Sequence, residues 1–167
     1  MNKLFFSAAL VMIMLMSCKS VERPAEPAQA RSPEEKAVVA NFSEITGNVW
    51  KLTEVRVNGA NTGFNRGDLA RDGFGEFFTL NFDAENVSGL GAPNRYSAPY
   101  TAGTGGAIKI LLVRSTMMAA FREPDKLREH DYFNYVQSAY KWNCVNNNLT
   151  LYSKIENGNE VVLIFSL

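Results

Sequence analysis

Leu149-Thr150-Leu151-Tyr152-Ser153-Lys154-Ile155-Glu156-Asn157-Gly158-Asn159-Glu160-Val161-Val162-Leu163-Ile164-Phe165 is the stretch that decides the fold. Two β-rich runs, Leu149–Tyr152 and Val161–Phe165, flank Asn157-Gly158-Asn159, whose residues favour a tight reversal, so the segment reads as an antiparallel hairpin. Upstream of it the period changes. From Asp125 to about Lys141, steps of 100° per residue gather Tyr132, Phe133, Val136, Ala139 and Tyr140 on one side, the mark of an amphipathic helix. Pro124 suits its first turn. The four asparagines between Asn143 and Asn148 are expected to end it.

Further strands precede the helix. Val49–Val57 is β-rich but alternates only loosely from Trp50 onward, and Asn58-Gly59 then signals a turn. A loop with four glycines spans Ala60–Gly75. In Phe77–Phe82 the side chains of Phe78, Leu80 and Phe82 share one face of a strand. Val87–Tyr100 is interrupted by glycine and proline, and Ala107–Val113 reads as another strand after the turn Gly103–Gly106. Strands, short turns and one late helix argue an α+β fold on a mostly antiparallel sheet.

The N-terminus carries a different message. After Met1-Asn2-Lys3 comes an apolar run of 13 residues, Leu4–Met16, interrupted by one serine. A bilayer-spanning helix needs about 20 such residues, so the run has the length of a secretion signal. It ends in Leu15-Met16-Ser17-Cys18, which resembles the lipobox cut by the lipoprotein signal peptidase. Cleavage is expected between Ser17 and Cys18, with acylation of Cys18 anchoring the chain to a bilayer at about 0.8 kcal/mol per buried CH₂. Residues 19–31, rich in Pro, Ala, Glu and Arg, read as part of a flexible tether over 18–47. Ser32-Pro33-Glu34-Glu35 within it looks like a short helix start. The folded domain is expected over 48–167.

Charge and cysteine content narrow the function. The chain has 17 basic and 17 acidic residues; losing Lys3 with the leader leaves 16 against 17, formally −1. With no basic excess and no clustered basic stripe, nucleic acid is not an expected partner. Cys18 is committed to lipid, so Cys144 stands alone and no disulfide is expected. Nor do the residues assemble a catalytic set. The single histidine, His130, lies between Glu129 and Asp131 at the border of the apolar stripe, and Cys144 has no evident base. Asp83-Ala84-Glu85-Asn86 offers oxygens that suit calcium but lacks the full ligand spacing, and reads as a turn. No metal or other cofactor is expected. Glu129 is the distinctive residue because it falls at the centre of the apolar stripe, where a carboxylate is costly unless satisfied. It is expected either to pair with backbone amides, Arg95 or Arg114, or to serve as a binding-site acid together with Asn94, Tyr96 and Tyr100.

The order of elements resembles the META domain family, whose bacterial members include HslJ-like lipoproteins. The residues that carry the resemblance are Trp50-Lys51-Leu52, Thr79-Leu80-Asn81-Phe82, Val87-Ser88-Gly89 with Pro93-Asn94-Arg95-Tyr96, Ser115-Thr116-Met117-Met118-Ala119, Glu129 with Phe133, and Leu149-Thr150-Leu151. Pro93 and Ala120 stand where the family pattern usually has two cysteines. The resemblance implies a mostly antiparallel β pseudo-barrel packed with one main helix, similar to secretion-pilot lipoproteins. It also implies links to envelope stress, antibiotic tolerance and secretion or motility, with no established catalysis. The expected function is therefore a non-catalytic binding, assembly or envelope-stress module, monomeric and held to the bilayer through Cys18. Its partner would be an envelope protein. Lys19 after the acylated cysteine favours the outer membrane, with the domain facing the periplasm or the surface. The alternative is a carrier holding a small molecule in an open barrel, which a solidly packed interior would disfavour.

Overall fold

The computed structural model describes residues 41–119 and 122–167. The segments expected to be leader, Cys18 and tether as far as Ala40, and also Ala120 and Phe121, lie outside the described residues. Among the described residues ten strands and two α-helices follow one another as β1 (Trp50–Val57), β2 (Ala60–Asn61), α1 (Arg66–Arg71), β3 (Thr79–Phe82), β4 (Asn86–Leu90), β5 (Arg95–Ala102), β6 (Ile108–Ile110), β7 (Arg114–Ser115), α2 (Glu129–Gln137), β8 (Ala139–Val145), β9 (Asn148–Lys154) and β10 (Glu160–Ser166). The main path of the sheet runs β6-β5-β4-β3-β1-β10-β9-β8, with β2 on β1 and β7 on β5, and every pair is antiparallel. An Ala107–Lys141 bridge links the two outermost strands, so the sheet curls into a nearly closed barrel. On the same margin Gln137 of α2 accepts the Val113 amide hydrogen, 2.9 Å away. The fold is α+β and mostly antiparallel, as expected.

The loose alternation of β1 has a physical cause. Leu52 pairs with Phe165 while Glu54 pairs with Ile164, so Thr53 is an extra residue in a bulge. Its hydroxyl donates to the Ile164 carbonyl at 3.0 Å. The bulge shifts the inward phase from Trp50 and Leu52 to Val55, all three of them buried. The final hairpin is as expected, with β9 and β10 paired from Asn148–Ser166 to Lys154–Glu160.

The helix is shorter than expected. It occupies Glu129–Gln137, and Ala139–Val145 is a strand, not its last turns. Tyr132 and Val136 are buried, but Tyr140 is 46% exposed. Ala139 and Tyr140 follow Val136 at helical spacing, which extended the expected helix, but they open a strand whose bulge between Ala139 and Lys141 lets the buried Ala139 and Trp142 both point inward. The asparagines turn a hairpin instead of ending a helix: Asn146 and Asn147 have φ of 51° and 59°, the left-handed pair that tight reversals require. Two more corrections concern strands. Val87–Tyr100 forms the β4–β5 hairpin, while Ala107–Val113 supplies only the three residues of β6.

The interior is filled. Phe78, Leu80, Phe82, Tyr132 and Val136 are fully buried alongside Leu149, Leu151, Leu163 and Phe165. Packing also reaches back before Asn48. Ile45 is fully buried and its carbonyl accepts the Trp50 indole hydrogen at 2.9 Å. The Phe42 ring lies 5.1–5.2 Å from those of Phe82, Tyr100 and Trp142. Residues Glu34–Leu167 form a compact unit that contains all the described strands and α-helices and this core, enough apolar surface for independent folding.

Candidate functional site

The residues singled out from the sequence fall into three places. Glu129 opens α2 and reaches the β4–β5 turn, where the Ala92–Pro93 bond is cis. Its Oε1 accepts the backbone hydrogens of Ala92 and Asn94, the latter at 2.6 Å, and its Oε2 accepts from the Asn94 side-chain amide at 2.6 Å. Backbone and side-chain amides thus satisfy it, not Arg95 or Arg114. Asn94 extends the network: its Nδ2 donates to the Met118 carbonyl at 3.1 Å. Its Oδ1 accepts from the Met118 amide at 2.6 Å and the Thr116 hydroxyl at 2.8 Å. One carboxylate and one carboxamide therefore clamp the α2 N-terminus, the β4–β5 turn and the segment after β7. Gly91 makes room for this clamp, since a Cβ there would lie 2.6 Å from both Glu129 Oε1 and the Phe133 ring.

Tyr96 belongs to a second arrangement, inside the barrel. Its hydroxyl and that of Tyr132 both donate to the Thr79 carbonyl at 2.9 Å and lie 3.1 Å apart. Burial pushes both phenols well above the ordinary tyrosine range; for Tyr132 the neighbouring Tyr96 adds to the rise. A raised folded-state pKa contributes stability that is fully present below the unfolded value, about 10, and is lost as pH rises. Stability should be flat below about pH 10 and fall above it, as the unfolded chain releases two protons that the folded chain retains. Tyr132→Phe should cost about 1–2 kcal/mol at neutral pH and make that decline shallower in urea titrations against pH.

Tyr100 stands apart from both. Its hydroxyl donates to the Asp83 carbonyl at 2.7 Å, and its ring packs with Phe42 and Phe82. The Asp83 side chain accepts the Glu85 and Asn86 amides at 2.8 and 2.6 Å, which makes the segment a turn and holds that carboxyl below its usual range. His130 is exposed, and burial pushes the half-buried Cys144 thiol up, away from the reactive thiolate. Among the described residues no three His, Cys, Asp or Glu side chains gather in a metal-holding arrangement.

Arg66 escaped the sequence reading. Half-buried, it donates from Nη1 to the Phe77 carbonyl at 2.6 Å and from Nη2 to that of Gly75 at 2.9 Å, and burial lowers its pKa. Nothing in the local sequence distinguishes it from the neighbouring Arg71, since its acceptors are backbone carbonyls from a separate loop.

The fold has relatives among solved structures. A protein from Burkholderia xenovorans matches with a TM-score of 0.58 and 19% identity, over 87% of this chain and 98% of that one. A DUF4847 family protein from Bacteroides vulgatus ATCC 8482 matches with a TM-score of 0.51 and 12% identity, over 74% and 94% of the two chains. No protein of curated function matches the sequence. The META domain pattern itself matches residues 43–166, from the turn that buries Ile45 to the end of β10, and by that match the chain belongs to the META domain family.

Proposed function

We propose that this chain is a bacterial envelope lipoprotein, anchored through acylated Cys18, whose META domain is a non-catalytic module that binds or assembles with an envelope protein through its outer surface. The observation that carries the reading of the domain is its filled interior, where Phe78, Leu80, Phe82, Tyr132, Val136 and Phe165 are fully buried. A barrel packed in this way favours work at the surface over a ligand held inside. The amide clamp at Glu129 and the phenol pair at Tyr96 support the same view, because each polar group is spent on holding the fold. The lipobox-like Leu15-Met16-Ser17-Cys18 supports the anchor, and Lys19 supports the outer membrane as its place.

The test of the anchor is Cys18→Ser. The parent should enter the detergent phase on partitioning and incorporate labelled palmitate in cells, whereas the variant should stay unprocessed or aqueous and take up no label. Equal recovery and labelling of the two would end the lipoprotein reading.

A further inference from the structure

Exposed cations gather on one part of the sheet: β3, β4, β5, β6 and β7 contain no aspartate or glutamate, and Arg95, Lys109 and Arg114 on them are all exposed. Alternation sends Leu80, Phe82, Val87, Tyr96 and Ala98 into the core and turns the intervening residues outward. Register then assembles the outward positions into one surface. Asn81 pairs with Ser88, Ser88 with Ser97, and Ser97 with Arg114, a polar row across four strands ending in a cation. Arg95, opposite Leu90, sits diagonally from Arg114 at about 7–8 Å, the usual spacing of such neighbours. Lys109 extends the cationic set from its place opposite Thr101. A groove of about 310 Å³ opens on this face, with Asn81, Ser88, Leu90 and Arg95 among its lining.

Large exposed apolar side chains flank β7 along the chain: Leu112, 67% exposed, lies two residues before it, and Met117, 97% exposed, two residues after it. We propose that this face docks on an anionic phospholipid bilayer, with Arg95, Lys109 and Arg114 among the phosphates and Leu112 and Met117 at the acyl boundary. A bilayer presents anionic headgroups above apolar chains, which matches this pairing of cations and protruding apolar groups. A protein surface with acids beside an apolar patch is the competing occupant, and failure to bind anionic vesicles would favour it. The inference stands on the exposed face and is independent of lipidation at Cys18, although an acyl anchor would keep the face close to the surface it fits.

The test uses the chain from Lys19 onward, which keeps the whole folding unit and lacks both leader and acylated cysteine. It is sedimented with vesicles of phosphatidylglycerol and phosphatidylcholine in equal parts, and with vesicles of phosphatidylcholine alone, at low salt. Binding should appear with the anionic vesicles, fall as salt is raised, and be weak with the neutral ones. The double variant Arg95→Gln/Arg114→Gln should bind at least about tenfold more weakly, since each cation near such a surface is worth about fivefold. Leu112→Ser/Met117→Ser should also weaken binding, and its melting temperature should match the parent's because both side chains are already in water. Failure to bind anionic vesicles, equal binding to the two compositions, or undiminished binding by either double variant would overturn the proposal, and none of these results bears on lipidation at Cys18.

Discussion

Gly89→Ala is expected to be the most destabilising single substitution in the barrel, lowering its melting temperature by tens of degrees or unfolding it outright. A Cβ on residue 89 would lie 2.0 Å from the Thr79 carbonyl oxygen, 2.8 Å from its carbon and 2.8 Å from the Tyr96 ring. None of these can retreat cheaply. The same oxygen accepts the Tyr96 and Tyr132 hydroxyls, and the Thr79 hydroxyl accepts the Leu90 amide hydrogen at 3.0 Å. Moving the strand aside would strand two buried phenols and undo the β3–β4 approach, a loss of more than about 4 kcal/mol against a usual domain stability of about 5–15 kcal/mol. Gly158→Ala is the control. Its φ of +83° strains an alanine, but no atom lies within 4 Å of the added carbon, so a cost of about 1–2 kcal/mol is expected. Circular dichroism melts of the two variants decide the matter, and a Gly89→Ala chain that melts near the parent would show that Thr79 is not where the barrel needs it.

Glu129→Ala should be nearly as damaging, at about 3–5 kcal/mol. Three donors lose their acceptor together: the Ala92 and Asn94 backbone amides and the Asn94 carboxamide. Hydrogen bonds to a charged group are worth about 1.5–3 kcal/mol each, and partial access of water at this half-buried position offsets some of the sum. Glu129→Gln separates the roles of the two oxygens. The retained carbonyl can still accept both backbone hydrogens, while the new amide meets the Asn94 amide donor to donor, so an intermediate loss of about 1–3 kcal/mol is expected. Amide exchange should quicken at Ala92, Asn94 and Met118 in both variants, since these backbone hydrogens end on the clamp. Vesicle binding by folded Glu129→Gln should equal the parent's. A Glu129→Ala chain as stable as the parent would instead make the carboxylate available for a ligand and return Asn94 and its surroundings to consideration as a binding site.

Local chemistry was enough for several elements. Asn58-Gly59 and the Asn157–Asn159 reversal were readable because positive-φ residues act within a few positions of the chain. Leu80 and Phe82 announced a common face because a period of two needs no knowledge of partners, whereas Phe78, expected on the same strand, precedes β3 with φ of 54° and is buried from the turn. The buried aspect of Glu129 was readable too, since its place one turn before Phe133 set a carboxylate on an apolar stripe. What satisfied it was not. Ala92 and Asn94 lie 37 and 35 residues away along the chain, and only the β4–β5 hairpin presents their hydrogens to it.

By itself, then, the sequence determined the α+β class, the final hairpin, the META motifs and the costly carboxylate, all features carried by neighbouring residues or by order along the chain. Tertiary structure alone decided where α2 stops and β8 begins, because Ala139 and Tyr140 keep helical spacing from Val136 while pairing with β9 makes their segment a strand. It alone buried Ile45 and packed Phe42 against the core, where long-range ring packing and the Trp50 indole override a locally polar, turn-like stretch. The cationic face was likewise invisible along a chain of formal net charge 0. Arg95, Lys109 and Arg114 are scattered in sequence, and they share a face because antiparallel register brings their strands side by side.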